Sequence, residues 1–367
     1  MEDGISARIE RALRQQLDAG TTEGVFPGAS SSVAFWRDGA WRVVEVCAGA
    51  LLEGAAKVTS DSVYDLASLT KPFVAATALR LYQAGAFPLD EPVATLIGEA
   101  AVLPVGERRW DEVLSHRSGL AAWEPFYERL SETASAEEAQ VQVLAELLPR
   151  WTEKQVGTSV YSDLGYILAG IAMSRAAGAP LDALVMREWT TPLGIDASVF
   201  FGAARDPAAA PLDFAPTGWS EWRRRSLTGE VHDDNCAALG GVAGHAGMFG
   251  TAHGVARFGT ACVAAWHGRR GSLEEEAMHF ATAPREGGTH LLGWDGRAPV
   301  GSSAGTRIGS DAFGHLGFTG TSLWCDPRRQ LVIVLLTNRV AVSDDNAAIK
   351  AFRPGFHDAV VDAFDGV

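Results

Sequence analysis

Two predicted β-hairpins stand at opposite ends of the chain, and a long region with helical patterns lies between them. In the first hairpin, β-rich stretches at Ala29–Trp36 and Trp41–Ala48 flank an Asp-Gly pair, which is a strong hairpin signal. In the second, stretches at Gly314–Asp326 and Gln330–Thr337 flank a turn that contains Pro327. We therefore expect an α/β (α+β) fold, with one antiparallel sheet completed by both ends of the chain.

Helical patterns flank and separate these hairpins. Apolar residues at spacings of three and four predict helices at Met1–Gly20, Glu137–Leu148, Asp163–Ala177, Pro180–Trp189 and Asn346–Phe364. We expect residues 1–66 plus 285–367 to form an α/β domain flanked by the terminal helices. Residues 67–284 would form a mostly helical inserted domain, with a site between the two. The Gly-rich stretch Pro211–Met248 is expected to be a functional, lid-like loop.

Charge and composition disfavour several classes of partner. The 367 residues carry 45 acidic and 31 basic side chains, a net charge of −14, which repels nucleic acids and anionic membranes. The N-terminal segment lacks the apolar core of a secretory signal, and four scattered cysteines suggest free thiols in a reducing compartment. A cytoplasmic protein that acts on a small molecule is expected, whereas the oligomeric state is left open.

The segment from Ser68 to Lys71 carries the first candidate chemistry. It precedes the apolar stretch Phe73–Ala86, which predicts a helix, and residues three apart on a helix face the same side. A hydroxyl beside an amine that can lose its proton is an activated nucleophile. Only four of the 31 basic residues are lysines, and only Lys71 has a serine three positions before it. A bare S-x-x-K also arises by chance, so the pair needs support from elsewhere in the chain.

Two further segments complete a candidate site for acyl transfer. Tyr161-Ser162-Asp163 begins a predicted helix and offers a phenol, while His315-Leu316-Gly317-Phe318 offers an imidazole and open backbone N–H groups. The chain also contains a G-x-S-x-G sequence around Ser302, but its surroundings are loop-like rather than the strand and helix that a nucleophile elbow requires.

The ordered set S-x-x-K, Y-x-D and H-x-G resembles the serine β-lactamase and penicillin-binding protein superfamily. It looks most like the class C β-lactamase-related branch of esterases, D-aminopeptidases and D,D-carboxypeptidases. Further similar blocks are 114–120, 241–247 and 314–321, and the resemblance covers roughly residues 25 to 360. It implies a β-lactamase/transpeptidase-like fold and two-step acyl transfer to water, with neither a metal nor an organic cofactor.

The resemblance also implies roles for individual residues. Ser68 would be the acylated nucleophile, Lys71 would receive its proton, and Tyr161 would assist as a base. Backbone N–H groups of Ser68 and Phe318 would form the oxyanion hole, and His315 would stand where many relatives have a lysine. Either Lys71 is neutral through burial, or it stays charged and lowers the pKa of Tyr161. The sequence leaves both assignments open.

Departures from the family pattern bear on the substrate. Asp163 replaces an asparagine, so an amide donor becomes an acceptor only. Leu316 lacks the hydroxyl of relatives, and His315 carries less charge than lysine. These changes favour short esters first, D-amino-acid peptides or amides second and β-lactams last. A binding module of this fold that turns over nothing remains the alternative from another class.

The residues expected to line the substrate cleft are Asp163, Leu316, Gly317 and His245. His245 lies between glycines in the long loop, and it could either line the cleft or brace it. His116 is interpreted as a structural hydrogen-bonding group rather than a catalytic one.

Overall fold

The computed structural model describes residues 2–52, 54–130, 135–202, 213–269, 271 and 273–367. Within these ranges the strands are β1 (Gly28–Arg37), β2 (Ala40–Gly49), β3 (Tyr64–Asp65), β4 (Ser118–Leu120), β5 (Trp151–Val156), β6 (Val199–Phe201), β7 (Gly218–Ser220), β8 (Arg225–Leu227), β9 (Met248–Gly250), β10 (Asp295–Gly296), β11 (Phe313–Leu316), β12 (Ser322–Asp326) and β13 (Leu331–Thr337). Six of them form one antiparallel sheet in the order β10-β11-β12-β13-β1-β2. Strands from both ends of the chain therefore share a single sheet, as predicted.

The helices in the described ranges are α1 (Glu2–Thr22), α2 (Thr70–Gln83), α3 (Trp110–Leu114), α4 (Ala136–Leu147), α5 (Asp163–Ala177), α6 (Leu181–Val185), α7 (Thr191–Leu193), α8 (Asp234–Ala238), α9 (Ala252–Trp266), α10 (Glu275–Thr282) and α11 (Ala348–Asp365). A π-helical turn, Met186–Thr190, joins α6 to α7. In the described part of the chain, no single helix combines the length and apolar composition needed to cross a bilayer; only α5 taken together with Leu181–Leu193, bent by 78°, meets that test.

The first hairpin forms where the Asp-Gly pair predicts it. Asp38 and Gly39 have φ angles of 49° and 82°, and Arg37 pairs with Ala40 across the turn. Two successive positive φ angles are the signature of the tight turn that matches the twist of paired strands. This part of the fold is therefore encoded locally.

The second hairpin differs from its prediction. Gly314–Asp326 is not one strand, because the chain turns back at residues 317–321 between β11 and β12. Gly320 takes a φ of 105°, a conformation that favours glycine, and the Gly320 amide donates to the Gly317 carbonyl at 3.1 Å. The stretch therefore supplies two antiparallel strands and a tight turn that reaches the site.

Helices cover both faces of the sheet. Along β13 the fully buried side chains alternate: Leu331, Ile333 and Leu335 join a core with α1 and α11, whereas Val332, Val334 and Leu336 join the larger core with α2, α5 and α9. Because successive strand residues point to opposite faces, this strand is apolar throughout. The terminal helices flank one face, as expected.

Between β2 and β10 the described part of the chain is rich in helices and forms three small sheets: β3-β9-β6, β4-β5 and β7-β8. The domain boundaries at residues 66/67 and 284/285 stay a prediction; helix α9, which lies between them in sequence, packs on β1, β12 and β13. Residues 211 and 212 of the predicted long loop lie outside the described residues. Residues 213–248 contain β7, β8 and α8 and pack against the body of the protein. Ser302 lies in a series of turns between β10 and β11.

Candidate active site

Ser68 lies in a single 3₁₀ turn, Ala67–Leu69, between β3 and α2. Ala67 has a φ of 47°, a conformation that residues other than glycine seldom adopt. The buried carboxylate of Asp65 accepts a hydrogen bond from the Ala67 amide at 2.8 Å and so holds the turn in place. Ser68 therefore sits immediately before α2 rather than within it.

Lys71, in the first turn of α2, is completely buried and lies among oxygen atoms. Its Nζ donates to Ser68 Oγ at 2.8 Å and to the carbonyl oxygen of His245 at 3.0 Å. It also forms an ion pair with Asp163 Oδ1 at 2.7 Å. The phenol of Tyr161 is a further hydrogen-bonding partner of this amine. The structure thus brings Ser68 and Lys71 together, as their spacing predicts.

The protonation states at rest follow from burial and from the neighbouring charges. Burial alone would lower the pKa of Lys71, but the Asp163 carboxylate, followed by Tyr161, outweighs burial and raises that pKa. Burial raises the pKa of Tyr161 as well, against the opposing effect of Lys71. The resting site therefore holds a charged Lys71, as in one of the two predicted assignments, but the lowered Tyr161 pKa that went with it is wrong.

Tyr161 is positioned by the start of α5. Ser162 caps this helix: its Oγ accepts from the Gly165 amide at 3.1 Å and donates to the Ala121 carbonyl at 2.6 Å. The Ser162 amide donates to His116 Nδ1 at 2.9 Å, and the His116 ring packs on Tyr161 with centroids 4.8 Å apart. Burial holds the pKa of His116 well below its ordinary value, so this neutral histidine braces the phenol.

His315 lies on β11 beside the same phenol. Its Nδ1 hydrogen-bonds to the Leu316 carbonyl at 2.8 Å, and its ring centroid is 5.9 Å from that of Tyr161. Burial, followed by the charge of Lys71, lowers the pKa of His315 to about 3. The imidazole is therefore neutral at pH 7, with Nδ1 as the donor and Nε2 left as an acceptor.

His290 also belongs to this cluster, although no sequence motif points to it. Its ring centroid lies 5.6 Å from Tyr161 and 5.1 Å from His116, and its Nδ1 shares a 2.6 Å hydrogen bond with the Ser159 hydroxyl. Burial lowers its pKa. The residues next to His290 in sequence do not indicate its contact with Tyr161, because its partners come from distant parts of the chain.

The turn between β11 and β12 carries the second expected oxyanion donor, the amide of Phe318. The Gly317 amide closes the turn by donating to the Thr321 carbonyl at 2.8 Å. Among the described residues, neither the Phe318 nor the Ser68 amide has a hydrogen-bond acceptor. Both donors are thus free for an oxygen of a bound molecule, as an oxyanion hole requires.

The Phe318 turn is fastened to the segment that leads into Ser68. Thr319 Oγ1 donates to the Asp65 carbonyl at 2.7 Å, and Thr321 Oγ1 donates to the Leu66 carbonyl at 3.2 Å. The two candidate oxyanion donors are therefore held by one hydrogen-bonded unit, in which Asp65 contacts both sides.

Two nearly buried arginines hold the other side of this turn, and the sequence prediction missed both. Arg353 Nη2 donates to the carbonyls of Gly317 and Thr321 at 2.9 and 2.8 Å, and Arg339 Nε donates to that of Phe318 at 2.9 Å. A signal existed for Arg353, because it shares the apolar face of α11 with buried Ile349, Phe356 and Val360. A charged residue on a core-facing stripe needs buried polar partners.

Ser68, Tyr161 and Asp163 open onto a cleft of about 480 Å³. Leu316, Gly317 and Phe318 line it as well, so three of the four predicted lining residues, Asp163 among them, are there. The rest of the lining comes from one segment and consists of Arg339, Asp344, Asp345, Asn346, Ala347, Ile349, Lys350 and Arg353. The cleft is therefore bordered by many charged groups.

The expectation that His245 lines this cleft is wrong. Its side chain is only 1% exposed, and Nε2 pairs with Asp233 Oδ1 at 2.8 Å. Its carbonyl accepts a hydrogen bond from Lys71, so the residue helps to hold this buried amine in place. The glycines around it allow this packing: a Cβ on Gly244 would lie 1.9 Å from the Tyr166 carbonyl.

Comparisons with known proteins agree with this architecture. The family model Beta-lactamase matches residues 9–353. A candidate D-alanyl-D-alanine carboxypeptidase of Escherichia coli (strain K12) is 28% identical over 90% of this chain and 82% of its own. Among solved structures, D-amino acid amidase from Ochrobactrum anthropi SV3 aligns with a TM-score of 0.73 at 20% identity, covering 98% of each chain. EstCE1, a hydrolase with promiscuous acyltransferase activity, aligns with a TM-score of 0.71 at 20% identity, covering 97% of this chain and 99% of its own.

Proposed function

Because the chain belongs to the β-lactamase family, we propose that this serine hydrolase cleaves short acyl esters through a covalent intermediate on Ser68. One observation carries the proposal: the buried Lys71 Nζ lies 2.8 Å from Ser68 Oγ, next to two amides that are free to bind an oxyanion. Nucleophile, proton acceptor and oxyanion donors are the parts that acyl transfer needs.

In the acylation step, Ser68 Oγ attacks the ester carbonyl carbon while its proton passes to a Lys71 that has become neutral. The carbonyl oxygen, now negative, accepts hydrogen bonds from the Ser68 and Phe318 amides. The bond to the alcohol oxygen then breaks, and a proton from Lys71 or from the neutral Tyr161 phenol leaves with the alcohol. The acyl group stays on Ser68 as an ester.

In the deacylation step, water attacks the carbonyl carbon of the acyl-enzyme. The proton of this water passes to the Tyr161 and Lys71 pair, and the same two amides hold the second tetrahedral oxygen. Breaking the bond to Ser68 Oγ releases the carboxylic acid and returns one proton to the serine. Free Ser68 is thereby regenerated, and the two steps together consume one water molecule and no cofactor.

A small amide or D-amino-acyl peptide is the second candidate substrate. A departing amine needs a proton, and the charged Lys71 beside Ser68 is a suitable donor. β-Lactams rank last, because the neutral His315 and the apolar Leu316 offer little to a substrate carboxylate.

The proposal is tested with p-nitrophenyl acetate, D-alanyl p-nitroanilide and nitrocefin. We expect wild-type protein to hydrolyse the ester fastest and Ser68→Ala to reduce that rate at least about a thousandfold. The matched control is Ser302→Ala, which removes the serine of the competing G-x-S-x-G sequence and should keep full activity. Undiminished hydrolysis by Ser68→Ala contradicts the proposal. Wild-type protein that cleaves none of the three substrates supports the binding module instead.

A further inference from the structure

The carboxylate of Asp163 faces both the catalytic amine and the cleft. Its Oδ1 is buried and pairs with Lys71 Nζ at 2.7 Å, yet the side chain as a whole is 17% exposed and lines the cleft. The exposed part therefore lies on the cleft side of the carboxylate. Among the described residues, the ion pair found for this carboxylate is the one with Lys71.

The position of this carboxylate relative to the nucleophile is fixed. Contacts of 2.7 Å and 2.8 Å through the one Lys71 nitrogen together place Asp163 Oδ1 within 5.5 Å of Ser68 Oγ. The Asp163 amide donates to the Ala122 carbonyl at 2.8 Å, and the cap at Ser162 anchors the preceding residue. The carboxylate is therefore held at the start of α5, close to Ser68 Oγ.

We propose that Asp163 selects substrates whose acyl group carries a protonated amine on the carbon next to the scissile carbonyl, that is, aminoacyl esters or amides with a free amino group. An amine on that carbon lies about 2.5 Å from the carbonyl carbon, so it comes within hydrogen-bonding reach of the carboxylate when Ser68 attacks. The inference rests on the proposed hydrolase function and names its substrate class.

The same chemistry disfavours N-acylated substrates. An ionised carboxylate only accepts hydrogen bonds, so it leaves an amide carbonyl oxygen on the substrate without a donor at this position. An ammonium group, in contrast, forms a charge-assisted bond with it. The asparagine found in relatives could hydrogen-bond to either an amide carbonyl or an ammonium group. The aspartate therefore restricts the substrates to those with a donor at this position.

An ammonium group would also compete with Lys71 for the charge of Asp163. Because Asp163 is the main neighbour that raises the Lys71 pKa, a second cation there favours the neutral amine that accepts the Ser68 proton. Binding of the preferred substrate would thus help to activate the nucleophile.

The test compares the hydrolysis of the methyl esters of alanine (both enantiomers), N-acetylalanine and propionic acid. Hydrolysis is measured as the release of acid. We expect the ratio of kcat/KM for the better alanine ester to that for methyl propionate to fall about 10- to 100-fold in Asp163→Asn. Intrinsic differences in ester reactivity cancel, because each ratio is compared between wild type and variant. The matched control is Asp182→Asn, the same change at the start of α6, which should leave the ratio unaltered.

The outcomes separate this inference from the proposed function. If Ser68-dependent ester hydrolysis is present but the ratio is the same in wild type and Asp163→Asn, the inference is overturned and the hydrolase stands. If wild-type protein cleaves neither these esters nor p-nitrophenyl acetate, both fail. Preference for N-acetylalanine ester over alanine ester in the wild type also overturns the inference.

A measurement on wild-type protein covers the case in which Asp163→Asn does not fold. Boronic acids add to an active-site serine without turnover, so 1-aminoethylboronic acid can be compared with ethylboronic acid as an inhibitor. We expect the amino compound to bind at least about tenfold more tightly. Equal or weaker inhibition by the amino compound contradicts the inference.

Discussion

Lys71 shows how the neighbours of a single buried residue determine its charge. It is held as an ammonium by Asp163, which outweighs the effect of burial and raises its pKa. A charged amine stabilises the site at rest but cannot accept the proton of Ser68. In the proposed mechanism, turnover of a neutral ester therefore requires the small fraction of molecules in which Lys71 is neutral.

This leads to a prediction for the pH dependence. Since the neutral fraction of a base with a raised pKa grows as pH rises, kcat/KM for p-nitrophenyl acetate should increase by about tenfold per pH unit from about pH 6 to about pH 9. Removing the charge in Asp163→Asn should shift this rising part of the pH profile at least about one pH unit toward lower pH. Initial rates are measured by p-nitrophenol release, and Ser68→Ala supplies the background hydrolysis.

The nearby histidines and Asp233 do not account for such a rise in rate with pH. Burial keeps the pKa values of His116 and His315 below the ordinary value for histidine. Burial would raise the pKa of Asp233, but the interaction with His245 outweighs burial and lowers that pKa to about 2. A rise that stays at the same pH in Asp163→Asn would show that another group limits the reaction.

The residue scale also shows what the sequence could and could not predict. Ser68 and Lys71 were accessible because their contact lies within one turn of chain. The burial of His245 and the partners of His290 depend on segments far away in sequence, so no local pattern determined them. Asp65 sits in an apolar run, but its contacts with Ala67 and Thr319 need the folded chain.

At the scale of elements, the turn between β11 and β12 joins the sheet to the nucleophile. It is fastened on one side to Asp65 and Leu66 and on the other to Arg339 and Arg353. The first hairpin could be predicted from its Asp-Gly pair, whereas this turn was missed because its glycines were interpreted as part of a long strand. Its shape is set by tertiary hydrogen bonds rather than by a strong local turn sequence.

Gly317→Ala tests the turn. A Cβ there would lie 2.0 Å from Thr321 Oγ1 and 2.7 Å from the Leu66 carbonyl, so the backbone must shift and carry the Phe318 amide with it. We expect kcat for p-nitrophenyl acetate to fall about 100- to 1,000-fold, the loss typical of one oxyanion donor, with a smaller change in KM.

The matched control for this variant is Gly355→Ala on α11, where an added Cβ meets no atom within 4 Å. It should keep wild-type kinetics. Urea unfolding of both variants establishes that the proteins compared are folded. If folded Gly317→Ala protein has the wild-type kcat, the turn does not supply a donor to the oxyanion hole.

For the whole molecule, the sheet separates two cores. One core lies between the sheet and the terminal helices α1 and α11, and the other contains α2 and α5. Lys71 lies on α2 with Ser68 immediately before it, and Asp163 is the first residue of α5. The layer order was predictable because hairpins and helices have clear local patterns. The packing of α9 on the sheet was not, since a helical pattern does not reveal its partner.

This separation predicts that stability and activity can be changed independently. Ile333 is fully buried in the core shared with α1 and α11, so Ile333→Ala should lower the free energy of unfolding by about 2–5 kcal/mol. The kcat/KM of the folded fraction should stay at the wild-type value. Urea denaturation and ester hydrolysis on the same samples provide both quantities.

The control is Val102→Ala, at a position that is 91% exposed, where the change should stay within about 0.5 kcal/mol. If Ile333→Ala reduces activity as strongly as it reduces stability, under conditions where the protein is fully folded, the two cores are not independent.

The central claim is that the oxygen of Ser68 becomes covalently bonded to the reacting centre of a substrate. Intact-protein mass spectrometry after exposure to a fluorophosphonate, followed by peptide mapping, tests it most directly. We expect one adduct, located on the peptide that contains Ser68 and absent in Ser68→Ala. An unmodified wild-type protein, or an adduct on a different residue, would contradict it.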